Sequence, residues 1–427
     1  MGLESPVEAA PAESNPLHTE RFRFAGKMLV VAIVVLGGFA IRASFFGYQT
    51  TDYDTYFKSW YEYIAQHGGF SALKYDFANY NVPYLYLLAA LTYVPVPALF
   101  GIKAISVVFD FLLGFFVYRI VAVRYPGSWW PVLAGAVVIY LPTVVLNSSM
   151  WAQVDAIYSA FGLGGDYFVL RRRPWLACLL FGLALAFKLQ AVFLFPAVLL
   201  FVLRRRVPWQ ALLLIPTVYL LLDVPAALVG ANFSTLVKVY ANETNTYDQL
   251  TLNAPNIYQY WGNFSYSEPL RPLGLAVTEL LVLSFIFLAA VRRIELTASR
   301  IVLAATVSAL LVPYFLPSMH ERYFYLADGL TVISAFYLPR RLWPLPVLEQ
   351  FASAFSYAPF LLGRRLIDFL ILSTVMLAAL LLALWATVED FRRRDPRVSV
   401  SPEPDKPGSQ VIPGRSCQDS GRFGKRS

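Results

Sequence analysis

Residues 28–48 of the chain read MLVVAIVVLGGFAIRASFFGY, an apolar run in which Arg42 is the one charged residue. A run of about 18 or more apolar residues is long enough to cross the hydrocarbon core of a bilayer as a single helix. Comparable apolar runs recur near residues 104–123, 208–228, 300–318 and 366–388. These runs predict one polytopic membrane unit instead of several soluble domains.

The composition of the 427-residue chain indicates the same class. Hydrophobic residues make up 58% of the chain and charged residues 15%, whereas soluble proteins average about 45–50% and 25%. The spans are expected to be helical, because a membrane β-barrel would show alternating strands of about ten residues. The sequence therefore predicts an all-α membrane protein with roughly ten to twelve membrane helices.

Two tails flank the predicted membrane domain. Residues 1–20 are rich in Pro, Glu, Ala and Ser, and residues 391–427 carry Pro, Ser, Gly and mixed charge. Segments of such composition bury too little apolar surface to become ordered, so both tails are expected to be disordered. The membrane domain spans residues 21–390 and carries two large outer loops, 49–80 and 229–268.

The net charge of +8 does not indicate a nucleic-acid partner, because the basic residues stand in short groups between the apolar runs. Arg and Lys are enriched in cytoplasmic loops, so each group is assigned to the cytoplasmic side. The groups are Arg171–Arg173, Arg204–Arg206, Arg292 with Arg293, and Arg340 with Arg341, and Arg21, Arg23 and Lys27 precede the first span. The N-terminus is thereby predicted to be cytoplasmic, and four polar segments meet on the outer side.

Three segments do not behave as simple spans. Residues 82–100 contain two prolines near their end, and residues 342–362 contain Glu349, so each is a doubtful span. Residues 174–203 lie between two cytoplasmic groups and must enter and return. They are predicted to form two short helices hinged near residues 188–190.

Two carboxylates, Asp52 and Asp54, directly follow the first span and stand among aromatic residues. A carboxylate that is partly removed from water can serve as a general base. The spacing of these two places them on different faces of a helix, so they are not expected to act as a pair. The structural alternatives are a solvated loop carboxylate or a helix N-cap, since Thr51 and Asp52 are both good caps for the helix predicted from Tyr56.

Polar residues beside aromatic rings recur at two further outer positions. Tyr80 and Asn81 stand where the chain enters the membrane again, and Gln153 and Asp155 lie in the stretch NSSMWAQVD. Rings can stack on a sugar, and amides and carboxylates can bind its hydroxyl groups. An interfacial aromatic belt and helix capping explain the same residues, so both interpretations stay open.

Lys188 and Arg42 are charged residues within apolar stretches. A charge there costs about 2.5–3.5 kcal/mol on insertion scales, so Lys188 needs a partner, for which a phosphate or Asp155 would serve. The same argument covers Arg42, although snorkelling to the membrane surface explains that residue almost as well.

His320 and Arg322 stand together at the outer end of a predicted span. A guanidinium binds phosphate oxygens with two parallel bonds, and a His adds a donor or a proton, so the pair suits a lipid phosphate. An ion pair between Glu321 and Arg322 is the structural alternative.

The outer loop 229–268 contains the stretch NAPNIYQYW, in which Asn256 and Tyr258 are candidates for the floor of an acceptor site. The chain has three His and neither an HExxH nor a CxxC motif, so a zinc site is not expected. It also has no P-loop and no GxGxxG motif after a strand, which leaves a nucleotide-driven pump without support.

The order of these motifs resembles a known family. The stretches GGFSAL, NYNVPYLYLLA, NSSMWAQVDAIY, AFKLQAVFLFP, NAPNIYQYW and MHERYFYLAD follow an acidic, aromatic first outer loop. As an ordered set over residues 28–340, they resemble the bacterial GPI18-like mannosyltransferases, members of the GT-C class of membrane glycosyltransferases. Two positions depart from that pattern, because Ala152 stands where Gly is usual and Val82 where a second Pro is frequent.

The resemblance implies a GT-C fold and an inverting transfer of a hexose, with mannose favoured. The donor would be a polyprenyl-phosphate sugar and the acceptor a lipid or glycan on the extracytoplasmic side of a bacterial plasma membrane. Asp52 matches the position of the catalytic base in GT-C enzymes, and Asp54 is the second candidate.

The resemblance also implies roles for the remaining candidates. Lys188, His320 and Arg322 would bind the donor phosphate, and Gln153 and Asp155 would orient the sugar or position Lys188. Some GT-C branches use a divalent metal with acidic ligands, but the mannosyltransferase-like branch is thought to do without one, so no cofactor is expected.

Two other classes compete with the transferase. A lipid-linked saccharide flippase or secondary transporter predicts charged groups near the bilayer midplane and an inverted repeat in hydropathy. Here the polar groups gather at one side and no repeat is evident. A non-catalytic scaffold leaves the cost of Lys188 and the acidic first loop unexplained.

Overall fold

The structure of the protein is a computed structural model that describes residues 16–243, 249–261, 269–291 and 295–392. Residues 1–15 and 393–427 of the two predicted tails, and the Arg292–Arg293 pair, lie outside the described residues. The first helix begins at Pro16, inside the segment 1–20 predicted as a tail. That boundary is corrected because a helix, once nucleated by an apolar span, extends at little cost.

The described residues are almost entirely helical. The helices are α1 (Pro16–Ala43), α2 (Lys58–Gln66), α3 (Val82–Leu91), α4 (Ala98–Arg124), α5 (Trp130–Ile139), α6 (Pro142–Val145), α7 (Asp155–Leu170), α8 (Pro174–Phe187), α9 (Phe195–Leu203), α10 (Leu214–Leu228), α11 (Phe233–Glu243), α12 (Leu270–Val291), α13 (Ala298–Phe315), α14 (Tyr325–Tyr337), α15 (Pro339–Leu342), α16 (Leu345–Ser356), α17 (Ala358–Leu362) and α18 (Phe369–Arg392). Two-residue strands, β1 (Thr251–Leu252) and β2 (Met319–His320), pair in parallel. The predicted all-α fold class is confirmed.

Shorter helical turns lie between these helices. The π-helical turns are Tyr53–Phe57 and Leu146–Met150, and the 3₁₀ turns are Gly69–Lys74, Leu189–Leu194, Trp209–Leu213, Ile257–Trp261 and Glu321–Phe324. Several of these turns carry candidate site residues, because the turns lie at the ends of the longer helices.

Six helices within the described residues are long and apolar enough to cross a membrane. They are Ala25–Ala43, Ala98–Arg124, Trp209–Leu228, Leu270–Val291, Ala298–Phe315 and Phe369–Arg392. The segments Trp130–Ile139 and Pro142–Met150, bent by 50° at their junction, make a seventh span if they are counted together. The chain is thus an all-α membrane protein, and the count of ten to twelve membrane helices stays a prediction.

The three doubtful segments differ from simple spans in the structure as well. In residues 82–100, α3 ends at Leu91 after only 10 residues. Residues 342–362 are divided among short helices, the longest of which has 12 residues. Residues 174–203 break at Lys188, whose backbone is extended (φ −156°, ψ 136°), so the predicted pair of short helices is confirmed.

Two glycines allow the buried helix α7 to pack closely against its neighbours. A Cβ at Gly165 would stand 2.3 Å from the Phe181 ring of α8, and one at Gly164 would stand 2.8 Å from the Phe116 ring of α4. Small residues at helix contacts give this close approach in membranes, where dispersion and hydrogen bonds hold helices together. The tight α7–α8 hairpin brings Asp155, at the start of α7, to Lys188, just after the end of α8.

A buried ion pair ties the first helix to the rest of the protein. Arg42 Nε donates to Asp110 Oδ2 at 2.7 Å, and neither side chain is exposed to solvent. Asp110 also accepts hydrogen bonds from Ser148 Oγ at 2.5 Å and from Tyr325 Oη at 3.1 Å. A second Arg42 nitrogen donates to the Ile139 carbonyl at 2.9 Å. The network therefore joins α1, α4, the turn Leu146–Met150 and α14.

Replacing Asp110 by Asn is expected to destabilise the protein strongly. The substitution preserves the shape of the side chain but leaves the buried Arg42 without its counter-charge, which costs about 3–5 kcal/mol in buried pairs. Thermal unfolding of the purified protein in detergent measures the loss.

Asp368→Asn is the matched control. Arg365 and Asp368 lie 4.0 Å apart with side chains 55% and 60% exposed, and exposed pairs contribute less than about 1 kcal/mol. Equal losses of stability in the two variants would contradict the structural role of Asp110.

Candidate functional site

Asp52 is held by two donors from the segment that follows the turn Leu146–Met150. Its Oδ2 accepts hydrogen bonds from Trp151 Nε1 at 2.9 Å and from Gln153 Nε2 at 2.7 Å. No donor among the described residues is bonded to Asp52 Oδ1. The half-buried carboxylate is thus fixed in orientation through one oxygen while the other can face a substrate.

Helix capping does not account for Asp52. The residue has helical backbone angles (φ −63°, ψ −39°), and its side chain makes no capping hydrogen bond. Thr50 takes that role, since its Oγ1 accepts from the Tyr53 backbone N–H at 3.3 Å. Asp54 is exposed to solvent and has no hydrogen bond from Trp151 or Gln153, so the structure separates the two carboxylates as their spacing predicts.

Asp155 is a buried carboxylate on which two cations converge. Lys188 Nζ donates to Oδ1 at 2.5 Å, and Arg322 Nε lies 3.7 Å from Oδ2. Asn147 Nδ2 donates to Oδ2 at 2.9 Å. Of the two partners that the sequence left open for Lys188, Asp155 is the one in contact. Two cations thus converge on one buried carboxylate.

Trp151 links Asp52 to the cations. The indole bonds Asp52 through Nε1, and the Arg322 guanidinium carbon lies 5.7 Å from the centre of the indole ring. This arrangement has the geometry of a cation–π contact. Asp52, Asp155, Lys188 and Arg322, together with Trp151 and Gln153, therefore form one cluster, which we call the ionic cluster.

The chain turns sharply at Ala152, just before Gln153. Ala152 has φ 68°, in the left-handed region where Gly is favoured. This conformation turns the chain so that the Gln153 backbone N–H donates to the Asn147 carbonyl at 2.9 Å. The site loop thus imposes a conformation that a glycine would adopt without strain, although alanine occupies the position here.

His320 and Glu321 stand beside the ionic cluster. Burial, with Arg322 and Lys188 adding to it, lowers the pKa of His320 well below 6.5, so the imidazole is neutral at pH 7. A neutral His320 can donate one hydrogen bond but brings no charge to a phosphate. Burial raises the pKa of Glu321 to about 7, although Arg322 opposes the shift, and Asp52 and Asp155 reinforce it.

Tyr80 and Asn81 reach the edge of the ionic cluster. Lys188 Nζ lies 5.8 Å from the centre of the Tyr80 ring. Asn81 donates to the Ala186 carbonyl at 2.9 Å and accepts from the Val82 backbone N–H at 3.0 Å. These bonds are those of a helix cap that anchors α3 to α8. A sugar-binding role for either residue stays a prediction.

Arg42 lies in a different place from the other phosphate candidates. It is fully buried and bound to Asp110 and the Ile139 carbonyl. Neither phosphate binding nor snorkelling is consistent with a buried guanidinium that has these partners. We therefore correct that assignment and leave Arg42 out of the site.

Asn256 and Tyr258 support the chain next to His320. Asn256 Oδ1 accepts from the Tyr258 backbone N–H at 3.2 Å, and Tyr258 Oη donates to the Phe315 carbonyl at 2.8 Å. Neither residue forms a hydrogen bond with a member of the ionic cluster. They stabilise the segment whose strand pairs with Met319–His320. An acceptor-binding role for them stays a prediction.

Two residues of the site were not candidates from the sequence. Trp151 was interpreted as an interfacial aromatic residue, and Asn147 as part of a polar patch. A buried indole N–H needs a hydrogen-bond partner. A Trp in a stretch that also contains Gln and Asp is therefore a sequence signal for a site residue of this kind.

Among the described residues, no three His, Cys, Asp or Glu side chains are grouped to hold a metal ion, and metal independence stays a prediction.

Fold and site together define an α-helical membrane protein. The segment after α1, the segment after the turn Leu146–Met150 and the segment after α13 meet in one ionic cluster. No known family model matches the chain, and no curated protein matches it at a significant level. The functional conclusion therefore rests on the geometry of the cluster and on the ordered motifs of the sequence.

Replacing Ala152 by Gly is expected to keep or raise thermal stability. A non-glycine residue in the left-handed region costs roughly 1–2 kcal/mol, which exceeds or balances the entropy cost of about 0.5–1 kcal/mol for glycine. Ala156→Gly, within the helix α7, is the control and is expected to cost about 1 kcal/mol. Thermal unfolding in detergent compares the two, and an equal loss in both would contradict the inferred strain at Ala152.

Proposed function

We propose that the protein is an integral membrane glycosyltransferase. It moves a hexose, with mannose favoured by the resemblance, from a polyprenyl-phosphate sugar to an acceptor on the extracytoplasmic side. The reaction inverts the anomeric centre, and Asp52 acts as the general base. The GT-C fold, the larger number of spans and the bacterial plasma membrane belong to the same proposal.

One observation carries the proposal: an oriented carboxylate stands beside two cations that converge on a second carboxylate. Asp52 is held by Trp151 and Gln153 through one oxygen. Next to it, Lys188 and Arg322 share the single charge of Asp155. A transfer from a lipid phosphate needs these two features together, a base for the acceptor and cations for the leaving group.

The chemistry follows from this placement. Asp52 Oδ1 takes the proton of an acceptor hydroxyl, whose oxygen attacks the anomeric carbon of the donor sugar. The bond between that carbon and the phosphate oxygen breaks on the opposite face, and the polyprenyl phosphate leaves with the electron pair. Lys188 and Arg322 stabilise the added charge on the phosphate, because donors placed where charge develops lower the barrier.

Asp155 and Gln153 are positioning residues in this proposal. Asp155 holds Lys188 and Arg322 side by side, which keeps two cations near one phosphate without leaving them unpaired in the free protein. Gln153 fixes the Asp52 carboxylate. His320, neutral at pH 7, adds one hydrogen bond at the rim.

Asp52→Asn is expected to lower the rate of transfer by about 10²–10⁴-fold, the usual contribution of a general base. The amide has the same shape and can still accept one hydrogen bond, so the donor is expected to bind normally. Transfer from labelled polyprenyl-phosphate mannose to mannose oligosaccharides measures the rate in detergent.

Asp54→Asn is the matched control and is expected to retain transfer, since Asp54 is exposed and does not contact the loop that holds Asp52. Full activity of Asp52→Asn would remove Asp52 from the mechanism. Lipid movement without transfer by the wild-type protein, with mannose, glucose or arabinofuranose donors, would favour a flippase.

Donor affinity is expected to fall as the pH rises from 6 to 8. Glu321 has a pKa of about 7, so above that pH it adds a negative charge beside Arg322. The donor is a phosphodiester whose charge does not change in this range, and His320 stays neutral. At an effective dielectric constant near 20, one added charge about 10 Å from the phosphate raises the binding free energy by about 1.7 kcal/mol, which weakens binding on the order of tenfold.

Glu321→Gln keeps the shape of the side chain and removes its titration. The variant is expected to bind the donor equally at pH 6 and pH 8, as measured by equilibrium binding of labelled donor. An unchanged pH dependence in Glu321→Gln, or tighter wild-type binding at pH 8, would contradict the assignment.

A further inference from the structure

Two adjoining cavities lie between the segment Leu73–Val82 and helix α11. Their volumes are about 80 Å³ and 380 Å³. The residues that line both are Asp76, Phe77, Ala78, Thr235 and Val239. The two cavities are therefore parts of one groove, which we call the outer groove.

One wall of the outer groove is aromatic and rigid. The Phe77 ring stacks on Tyr63 with ring centres 4.5 Å apart, and Tyr75 meets the same Tyr63 edge-on at 6.2 Å. His67 stacks on the other side of Tyr63 at 3.9 Å. A stack of this kind presents a flat face at low conformational cost, which suits the apolar face of a sugar ring.

Short polar side chains also line the groove, beside apolar residues such as Leu73, Leu85 and Leu236. Asn79, Asn232 and Asn242 supply amide groups, Asp76 supplies a carboxylate and Thr235 a hydroxyl. Amides and hydroxyls both donate and accept hydrogen bonds, as sugar hydroxyls do. Aromatic faces together with such groups favour a polyhydroxylated ligand.

The charge of the outer groove favours a neutral ligand. Asp76 lines both cavities, so a phosphate or an anionic headgroup would meet a carboxylate. Of the described residues along the groove, Lys74 is the only cation, and its Nζ lies over the Tyr75 ring, 4.9 Å from the centre. The donor phosphate is better placed at the ionic cluster.

Tyr80 connects the outer groove to the ionic cluster. Tyr80 lines the smaller cavity, and its ring centre lies 5.8 Å from Lys188 Nζ. The same ring packs against Trp60 at 5.0 Å and Phe57 at 6.0 Å, on the helical segment that continues from Asp52. A chain bound in the groove would therefore direct its inner end towards the proposed base.

We propose that the outer groove binds a neutral oligosaccharide, whose inner terminal sugar accepts the transferred hexose. The role of this oligosaccharide as the acceptor rests on the proposed function, whereas saccharide binding in the groove does not. The larger cavity falls within the range of about 300–1,000 Å³ that is usual for ligand sites. The acceptor is thus a glycan of several sugars, which binds to α11 and to the segment Leu73–Val82.

The test measures binding of α-linked mannotetraose to the full-length protein in detergent, without donor, by saturation-transfer NMR. The double variant Phe77→Leu with Asn79→Ala removes one aromatic face and one amide, and we expect it to bind roughly fivefold more weakly or worse. The matched control is Phe233→Leu with Ser234→Ala, exposed residues of α11 outside the groove. Its binding is expected to match that of the wild type.

Three outcomes would overturn the proposal. They are no mannotetraose binding by the wild type at millimolar concentration, equal binding by the groove variant, and displacement of the probe by glycerol phosphate. Thermal unfolding of each variant separates lost binding from lost folding, and decaprenyl-phosphate binding is expected to be unchanged in the groove variant.

Failure of the groove and failure of the transferase are distinguishable. Groove-dependent binding in a protein that transfers no sugar from any donor would refute the proposed function and leave the groove in place. Transfer with an unchanged KM for mannotetraose in the groove variant would refute the groove alone. Asp52→Asn is expected to bind mannotetraose normally.

Discussion

The buried ion pair between Arg42 and Asp110 is the contact on which the arrangement of the segments around the ionic cluster depends. A charge in an apolar interior is tolerated only with a partner that neutralises it, so α1 and α4 are held together at this point. Asp110 also accepts from Ser148, in the turn that precedes Trp151, and from Tyr325, just after Arg322. One carboxylate therefore sets the relative positions of two segments that carry the ionic cluster.

The ionic cluster, with two acids and two cations, is less tightly paired. Lys188 and Arg322 both approach Asp155, but Arg322 lies 3.7 Å from it, beyond the length of a good hydrogen bond. Trp151 contacts both Asp52 and Arg322, so one side chain positions the proposed base and one of the two cations. Stability and proposed function thus use separate ion pairs within the same set of helices. Loss of the Arg42–Asp110 pair would unfold the site, whereas loss of the Lys188–Asp155 pair would alter the proposed chemistry of the site.

Sequence patterns identified some of these residues and misassigned others, for a physical reason. The insertion cost of a charge predicts that Lys188 and Arg42 have partners, but it does not distinguish a protein carboxylate from a phosphate. Arg42 faces Asp110, an acid 68 positions away in the chain, and no local pattern contains that contact. Likewise, the strain at Ala152 depends on a left-handed turn that the apolar and polar pattern does not encode.

The sequence by itself determined the class of the protein, an all-α membrane protein, and the break of the chain at Lys188, because the length of apolar runs and the interruptions within them are local properties. It also placed Asp52, Gln153, Asp155, Lys188 and Arg322 among the candidates. Only the tertiary structure decided which of them meet. Contacts such as Asp52 with Gln153 or Lys188 with Asp155 join helix ends that are distant in the chain, and helix packing alone brings those ends together. The outer groove is likewise a product of packing, since its two walls come from separate segments whose sequences show no shared pattern.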